Sequence, residues 1–483
     1  MLKTTLSLLS ALAAAAGATA ATAAPPEPCR LRGVETGALC GKLARPLDPT
    51  RPDGPTIDVH YAVLPALARN KKPDPVFFFA GGPGQSAIEL AGPMSRLFAR
   101  LSNRRDIVLV DQRGTGRSAP LVCSPVDPTL PLREMADTDA MQARLQRCRL
   151  ALQKLPHGDL RQYTTTIAMA DVDAVRQALG AAQVNVIGAS YGTRAVLEYM
   201  RQFPTRVRRA VIDGVAPPDM VLPASFSTDG QAAFDALVAA CEQEAACKAR
   251  HPDLRATWRS LVAGLPREVT MLHPVTGVPE TFTVTREMAA SMLRAPLYVP
   301  ALASALPQAL SEAAAGRFEA LFGLGAAMGG RRGFEMAEGM HFSVVCAEDM
   351  PRLPQATDAP GPDLGDGFVR LYREVCAGWP RGSVPEAFYT VPPAPAPTLV
   401  LSGGIDPVTP PRHGERTAKA LGPNARHVVV PNAGHGVISL GCMRDVLFRF
   451  VDAEADALKV DTTCAEGIPR PPAFQPVRPG GAS

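Results

Sequence analysis

Short unbroken apolar runs recur along the chain, each followed by a glycine-rich or acidic turn and then by residues with helical spacing. Val76-Phe77-Phe78-Phe79 runs into Gly81-Gly82-Pro83-Gly84. Ile107-Val108-Leu109-Val110 runs into Asp111-Gln112-Arg113-Gly114-Thr115-Gly116-Arg117-Ser118. Residues 184–187, 210–214, 398–401 and 427–430 repeat the pattern. Strands that are apolar without alternation are buried on both faces, as in parallel sheets covered by crossover helices. Residues 166–179, with Ile167, Met169, Val172, Val175 and Leu179 apolar, and residues 193–202 supply two such helices. The pattern predicts an α/β fold with a mostly parallel central sheet and helices on both faces.

From about residue 220 to 390 the rhythm changes. Pro217, Pro218 and Pro223 open this stretch, and amphipathic helices are predicted around 230–247, 253–264 and 300–315. Residues 269–284 read as a β-hairpin turning at Thr276-Gly277. An insertion of this kind suits a mainly helical cap or lid. Pro393, Pro395 and Pro397 mark the return to the sheet. The expected division is a signal peptide over 1–23, a first core part over 24–219, the cap over 220–390, a second core part over 391–467 and a loose Pro/Gly-rich tail over 468–483.

Lys3, an apolar run from Leu6 to Ala16 and the small residues Ala21-Thr22-Ala23 compose the signal peptide, with Ala24 as the new N-terminus. Ala18-Thr19-Ala20 forms an equivalent second cleavage site. The chain is therefore expected to be exported, to the periplasm or beyond. Ten cysteines agree with an oxidising compartment: Cys29, Cys40, Cys123, Cys148, Cys241, Cys247, Cys346, Cys376, Cys442 and Cys464. None has C-x-x-C spacing, which argues against a zinc knuckle or a thioredoxin-type site. The expected scheme is sequential, 29–40, 123–148, 241–247, 346–376 and 442–464, each bridge contributing about 2–4 kcal/mol. Spacing alone leaves the connectivity open.

Fifty basic against 46 acidic side chains, with no Lys/Arg stripe, argue against a nucleic-acid partner. A hydrophobic fraction of 46% argues against a mainly disordered chain. Beyond the N-terminal run no segment looks long and apolar enough to span a bilayer, so no stable membrane partner is expected. No histidine pair has zinc spacing and no glycine run ends in G-K-[ST], so neither metal nor organic cofactor is implied. Oligomeric state leaves no mark on the sequence.

The chemistry concentrates in three loops. Gly188-Ala189-Ser190-Tyr191-Gly192 fits G-x-S-x-G between a strand and a helix, the setting of a nucleophile elbow. Ser190 needs a base, because a protonated hydroxyl is a poor nucleophile. Of the eight histidines, His435 stands in Asn432-Ala433-Gly434-His435-Gly436, a loop just after the last strand, from which it can reach across the strand ends. His427, His60 and His273 lie in extended segments, and His157, His251, His341 and His413 carry no placing motif. Asp406, after the strand at 398–401, is the expected third member, and Asp111 and Asp213 at other strand ends read as structural. The order Ser190, Asp406, His435 is that of α/β-hydrolases. The Tyr191 backbone N–H and a donor from the glycine loop, Gly82, are the expected oxyanion hole.

Taken together, Gly81-Gly82-Pro83-Gly84, the Asp111–Ser118 loop, the Ser190 elbow with Thr193-Arg194, and the Asp406 and His435 loops resemble the prolyl-aminopeptidase family of serine peptidases. Within it the chain is most similar to secreted members of the tripeptidyl-aminopeptidase type. The likeness covers most of residues 30–465. One departure is Ala80, where prolyl iminopeptidases usually carry His. The resemblance implies a Ser-His-Asp exopeptidase acting on peptide substrates, releasing residues or short peptides from a free N-terminus. It also implies cap carboxylates that hold the substrate ammonium. Glu348 and Asp349 are the expected pair, with Glu335 and Glu338 as weaker choices. An esterase or lipase built on the same triad is the alternative, because substrate choice lives in the cap.

Overall fold

A computed structural model of the protein describes residues 24–329 and 336–476. The expected signal peptide, Glu335 and the last residues of the tail lie outside the described residues. Eleven strands are described: β1 (Glu27–Cys29), β2 (Ala38–Pro46), β3 (Thr56–Leu64), β4 (Val76–Phe79), β5 (Ile107–Val110), β6 (Val184–Ala189), β7 (Val207–Asp213), β8 (Arg267–Leu272), β9 (Pro279–Val284), β10 (Thr398–Gly403) and β11 (Ala425–Val430). Nine of them make one sheet in the order β1-β2-β3-β5-β4-β6-β7-β10-β11. From β5 to β11 neighbouring strands are parallel, and β1, β2 and β3 extend the sheet antiparallel. The hairpin β8–β9 stands apart.

Alternate residues of the central strands feed two cores. Phe77, Phe79, Val108, Val110, Val184 and Val186 join the core on one face, beneath the helices Thr165–Ala178 and Tyr191–Gln202. Val76, Phe78, Ile107, Leu109 and Ile187 join the other, beneath the helix Met443–Asp452. In that helix Met443, Val446, Leu447, Phe450 and Val451 recur at the spacing that lines one helical face. Full burial of each such side chain is worth about 1.5–3 kcal/mol, so the apolar runs alone fix which segments lie at the centre.

The insertion divides in two. Phe234, Trp258, Leu293, Leu310 and Phe318 share a third core with the β-hairpin. Residues further on do not belong to it: Met340, Phe342, Val344, Val345 and Trp379 pack into the first core, against the sheet. The helix Glu338–Glu348 therefore belongs with the sheet-bearing half of the molecule, although it lies within 220–390. The segment expected to be a loose tail is partly held. Arg470 donates to the Ala236 carbonyl, and the N–H groups of Ala473 and Phe474 donate to Glu244 and to the Ser304 carbonyl.

Disulfides join Cys29–Cys40, Cys123–Cys148, Cys241–Cys247, Cys346–Cys376 and Cys442–Cys464, with no free cysteine among the described residues. Such a set fits an oxidising compartment. Among the described residues no helix is long and apolar enough to cross a membrane.

Candidate active site

Ser190 follows the last residue of β6 and caps the helix Tyr191–Gln202 with φ 57° and ψ −126°. A non-glycine residue there costs about 1–3 kcal/mol, and its surroundings hold it in place. The Ser190 N–H donates to the Asp213 carbonyl at 2.9 Å, and the Ser190 carbonyl accepts from the Thr193 hydroxyl at 2.6 Å. The flanking glycines are sterically required. A Cβ on Gly188 would collide with the Gly192 carbonyl, and one on Gly192 with the Phe79 carbonyl. The turn thus pushes the half-buried serine side chain beyond the strand ends.

The loop after β4 lies against this turn. A Cβ built on Gly81 would stand 3.2 Å from the Ser190 Cβ. Gly82 and Gly84 have φ of 110° and 113°, values that L side chains rarely adopt, and a Cβ on Gly84 would meet the Ala337 carbonyl at 2.9 Å. Three contacts pin the loop to the start of the helix Glu338–Glu348. Gln85 bridges to Met336, the Ala337 N–H donates to the Gly84 carbonyl at 2.9 Å, and His341 Nδ1 meets the Pro83 carbonyl at 3.1 Å. Tyr191 opens its helix, where the first N–H groups have no intrahelical acceptor. The Gly81–Gly84 loop and the first turn of the Tyr191–Gln202 helix thus lie on either side of Ser190.

His435 and Asp406 come together after β11 and β10. His435 Nδ1 is 2.8 Å from Asp406 Oδ2. Asp406 is fully buried and accepts three further bonds, from the Val408 and Thr409 N–H groups and from the Thr409 hydroxyl. Burial opposes its charge, but His435 and these donors outweigh burial and hold the carboxyl below its ordinary range. Burial likewise opposes charging of His435, and the Asp406 carboxylate, with Asp213, overrides it and raises the imidazole above its ordinary value. Thr409 was not legible as part of the site. Its hydroxyl donates to Asp406 at 2.7 Å and lies 3.1 Å from His435 Nδ1. The only available hint was that Asp followed closely by Thr often folds into a side-chain-capped turn.

Asp213, read as structural, joins the two halves. Its carbonyl receives the Ser190 N–H, and its carboxylate receives the N–H groups of Val437 and Ile438, just past His435. Asp111 has a similar role on the other side. It accepts from the Ser86 hydroxyl and from the Ile88 and Arg117 N–H groups, beneath Gly116, where any side chain would strike its carboxylate. Arg113 is fully buried on Asp171 and on the carbonyls of Pro46, Leu47 and Gln162. The Asp111–Ser118 motif is therefore a framework, with Gln112 Oε1 accepting from the Tyr191 hydroxyl at 3.4 Å.

Glu348 and Asp349 require a correction. Both are about 1% exposed. Asp349 forms a two-pronged pair with Arg194 at 3.0 and 3.1 Å and also accepts from the Leu222 N–H. Glu348 accepts from the Thr165 N–H and hydroxyl at 2.7 and 3.0 Å, with Arg194 at 3.6 Å. Burial raises the Glu348 carboxyl against the pull of Arg194 and Thr165. The two acids sit beneath the elbow, spoken for by Arg194 and its neighbours, and present no surface to a substrate ammonium. Glu338 is paired with Arg144 at 2.6 and 2.8 Å. Glu348→Gln is accordingly expected to leave the ratio of activities on free-amine and blocked substrates within about twofold of wild type. Arg194→Met, which strands Asp349, is expected to cost about 3–5 kcal/mol in urea unfolding. A selective loss on free-amine substrates in Glu348→Gln would restore the acid to the binding site.

Comparison with known proteins agrees with this geometry. The family model for the alpha/beta hydrolase fold matches residues 74–441. The serine protease Hip1 of Mycobacterium tuberculosis is 29% identical over 445 residues, covering 82% of this chain and 82% of that one. A tripeptidyl aminopeptidase of Streptomyces lividans is 31% identical over 193 residues, covering 37% of this chain and 35% of that protein. A proline iminopeptidase of Neisseria meningitidis is 30% identical over 141 residues, covering 29% and 32%. With a matched region that runs from just before β4 to the loop beyond His435, the chain belongs to the alpha/beta hydrolase fold family, and its relatives there include serine peptidases.

Proposed function

We propose that the protein is an exported serine exopeptidase that releases N-terminal residues or short peptides, tripeptides among them, from peptides with a free N-terminus. The observation that carries this reading is the Asp406–His435 pair held at the strand ends beside the strained Ser190 turn. Likeness to a tripeptidyl aminopeptidase and a proline iminopeptidase supports the choice of peptide bond and of free N-terminus. In this reading Ser190 Oγ attacks the scissile carbonyl while His435 Nε2 takes its proton, and the tetrahedral oxygen rests on the Gly82 and Tyr191 N–H groups. His435 then gives the proton to the leaving amine, and the acyl-enzyme is cleared by water along the same route. Asp406 holds the tautomer and stabilises the charged imidazole.

The test is a matched panel of aminoacyl, dipeptidyl and tripeptidyl amides with free or acylated N-termini, beside short acyl esters. Free-amine amides are expected to be favoured over blocked ones by about 10-fold or more, through a group other than Glu348, Asp349 and Glu338, which are already paired. Ester turnover without amide cleavage would replace the peptidase by an esterase using the same residues.

A further inference from the structure

Four buried arginines each hold a carboxylate: Arg105 pairs with Asp74, Arg113 with Asp171, Arg176 with Asp173 and Arg194 with Asp349. Arg209 puts its terminal nitrogens on backbone carbonyls. Arg294 does neither. It ends the helix Arg286–Arg294, is 7% exposed, and has no carboxylate within ion-pair distance among the described residues. Its Nε donates to the Phe226 carbonyl at 3.3 Å, while Nη2 is buried without a partner. Aromatic rings surround the guanidinium, with Phe226 at 4.6 Å, Phe368 at 5.1 Å and Tyr298 at 5.4 Å. Rings offset part of the cost of burying a cation, but not that of a donor left without an acceptor.

This unpaired cation lies beside the chemistry. The Tyr298 ring that it faces stands edge-on to His435 at 5.3 Å, and the Tyr298 carbonyl accepts the His435 N–H at 2.9 Å. The charge is felt there, since Arg294 opposes the protonation of His435. His435 delivers its proton to the leaving amine, so the residues departing with that amine lie on the His435 side of Ser190. The Tyr298 ring centre lies 5.3 Å from the His435 ring and 5.4 Å from the guanidinium, a separation within reach of the first residues past the cut at about 3.3–3.6 Å each.

We infer that Arg294, framed by Phe226, Tyr298 and Phe368, is a carboxylate subsite for the leaving fragment. Its ligand is a carboxylate one or two residues beyond the cleaved bond, either the C-terminus of a short peptide or an acidic side chain. The assignment of sides rests on the proposed serine-peptidase chemistry. The enzyme so equipped prefers short peptides that end just past the cut.

The test pairs tetra- and pentapeptides ending in a carboxylate with the same peptides ending in a carboxamide, and carboxamides carrying Glu or Gln after the cleaved bond. Two readouts are taken, cleavage and protection of Ser190 against a fluorophosphonate probe. Carboxylates are expected to win by about 10- to 100-fold in both. Arg294→Met should bring that ratio to about one, and Arg294→Lys, which keeps the charge, should restore part of it. Equal handling of acids and amides by the wild type, or a preference that survives Arg294→Met, overturns the subsite. If peptides are cleaved without preference, the subsite falls and the peptidase reading stands. If no peptide is cleaved yet acids alone shield Ser190, the subsite stands and the peptidase reading falls. The wild-type comparison needs no variant to fold.

Discussion

Ser190→Ala protein is expected to lose about six orders of magnitude in kcat while melting within a few degrees of wild type. The size follows from the role proposed for the hydroxyl: without it no acyl-enzyme forms, and His435 has no nucleophile to deprotonate. The stability follows from the geometry. The turn is held by the Ser190 N–H and carbonyl, bonded to Asp213 and Thr193, and alanine keeps both groups and the same Cβ. The strain at φ 57° is present in either residue. Turnover of the panel substrates and a thermal melt measured on the same preparation check both halves. Wild-type turnover in the variant would remove Ser190 from the chemistry, and a collapsed melt would make the loss of activity uninformative.

Asp406→Asn is expected to lower kcat by about four orders of magnitude and to shift the pH profile as well. Asp406 is the one partner on His435 that favours its charged form through both charge and hydrogen bond. Reaction requires neutral imidazole, and in the wild type the pKa is raised above the ordinary 6.5. The acidic limb of kcat/KM should therefore fall above that value, with activity rising as pH rises through it. Asparagine keeps the shape but removes the charge, so burial prevails and the limb moves to lower pH. Asparagine's amide also competes for the Thr409 hydroxyl and turns the imidazole toward the wrong tautomer. An unshifted limb would mean that another group sets the profile.

The parts of this protein that were legible in its sequence are those set by local rules. β4 and β5 are uninterrupted apolar runs, and the Ser190 turn is announced by glycines whose spacing has one steric purpose. Of the antiparallel strands, β3 was legible only as an extended segment at His60 and β2 not at all, because they alternate. Ile57, Val59 and Tyr61 face the core while Asp58 and His60 do not, so no continuous run marks them. Thr409 and Arg294 were hidden for a different reason. Each acts through a partner brought near by folding, His435 in one case and the ring of Tyr298 in the other. Glu348 and Asp349 were misread on the same account. Acids beside an apolar run suggest a ligand until Arg194, on the helix behind the elbow, is seen to meet them.

The helix Glu338–Glu348 draws the seam of the molecule in an unexpected place. It is tied to the Gly81–Gly84 loop through Ala337 and His341, and to the helix Gly367–Ala377 through Cys346–Cys376. What remains on the far side of the seam is the unit around Phe234, Trp258 and Phe318, which has its own core and sends Arg294 and Tyr298 toward His435. That unit is separable from the Gly81–Gly84 loop and the helix that anchors it. A change in its sequence can alter the charge and length of the ligand it meets, while the Gly81–Gly84 loop stays anchored to Ala337 and His341, outside that unit.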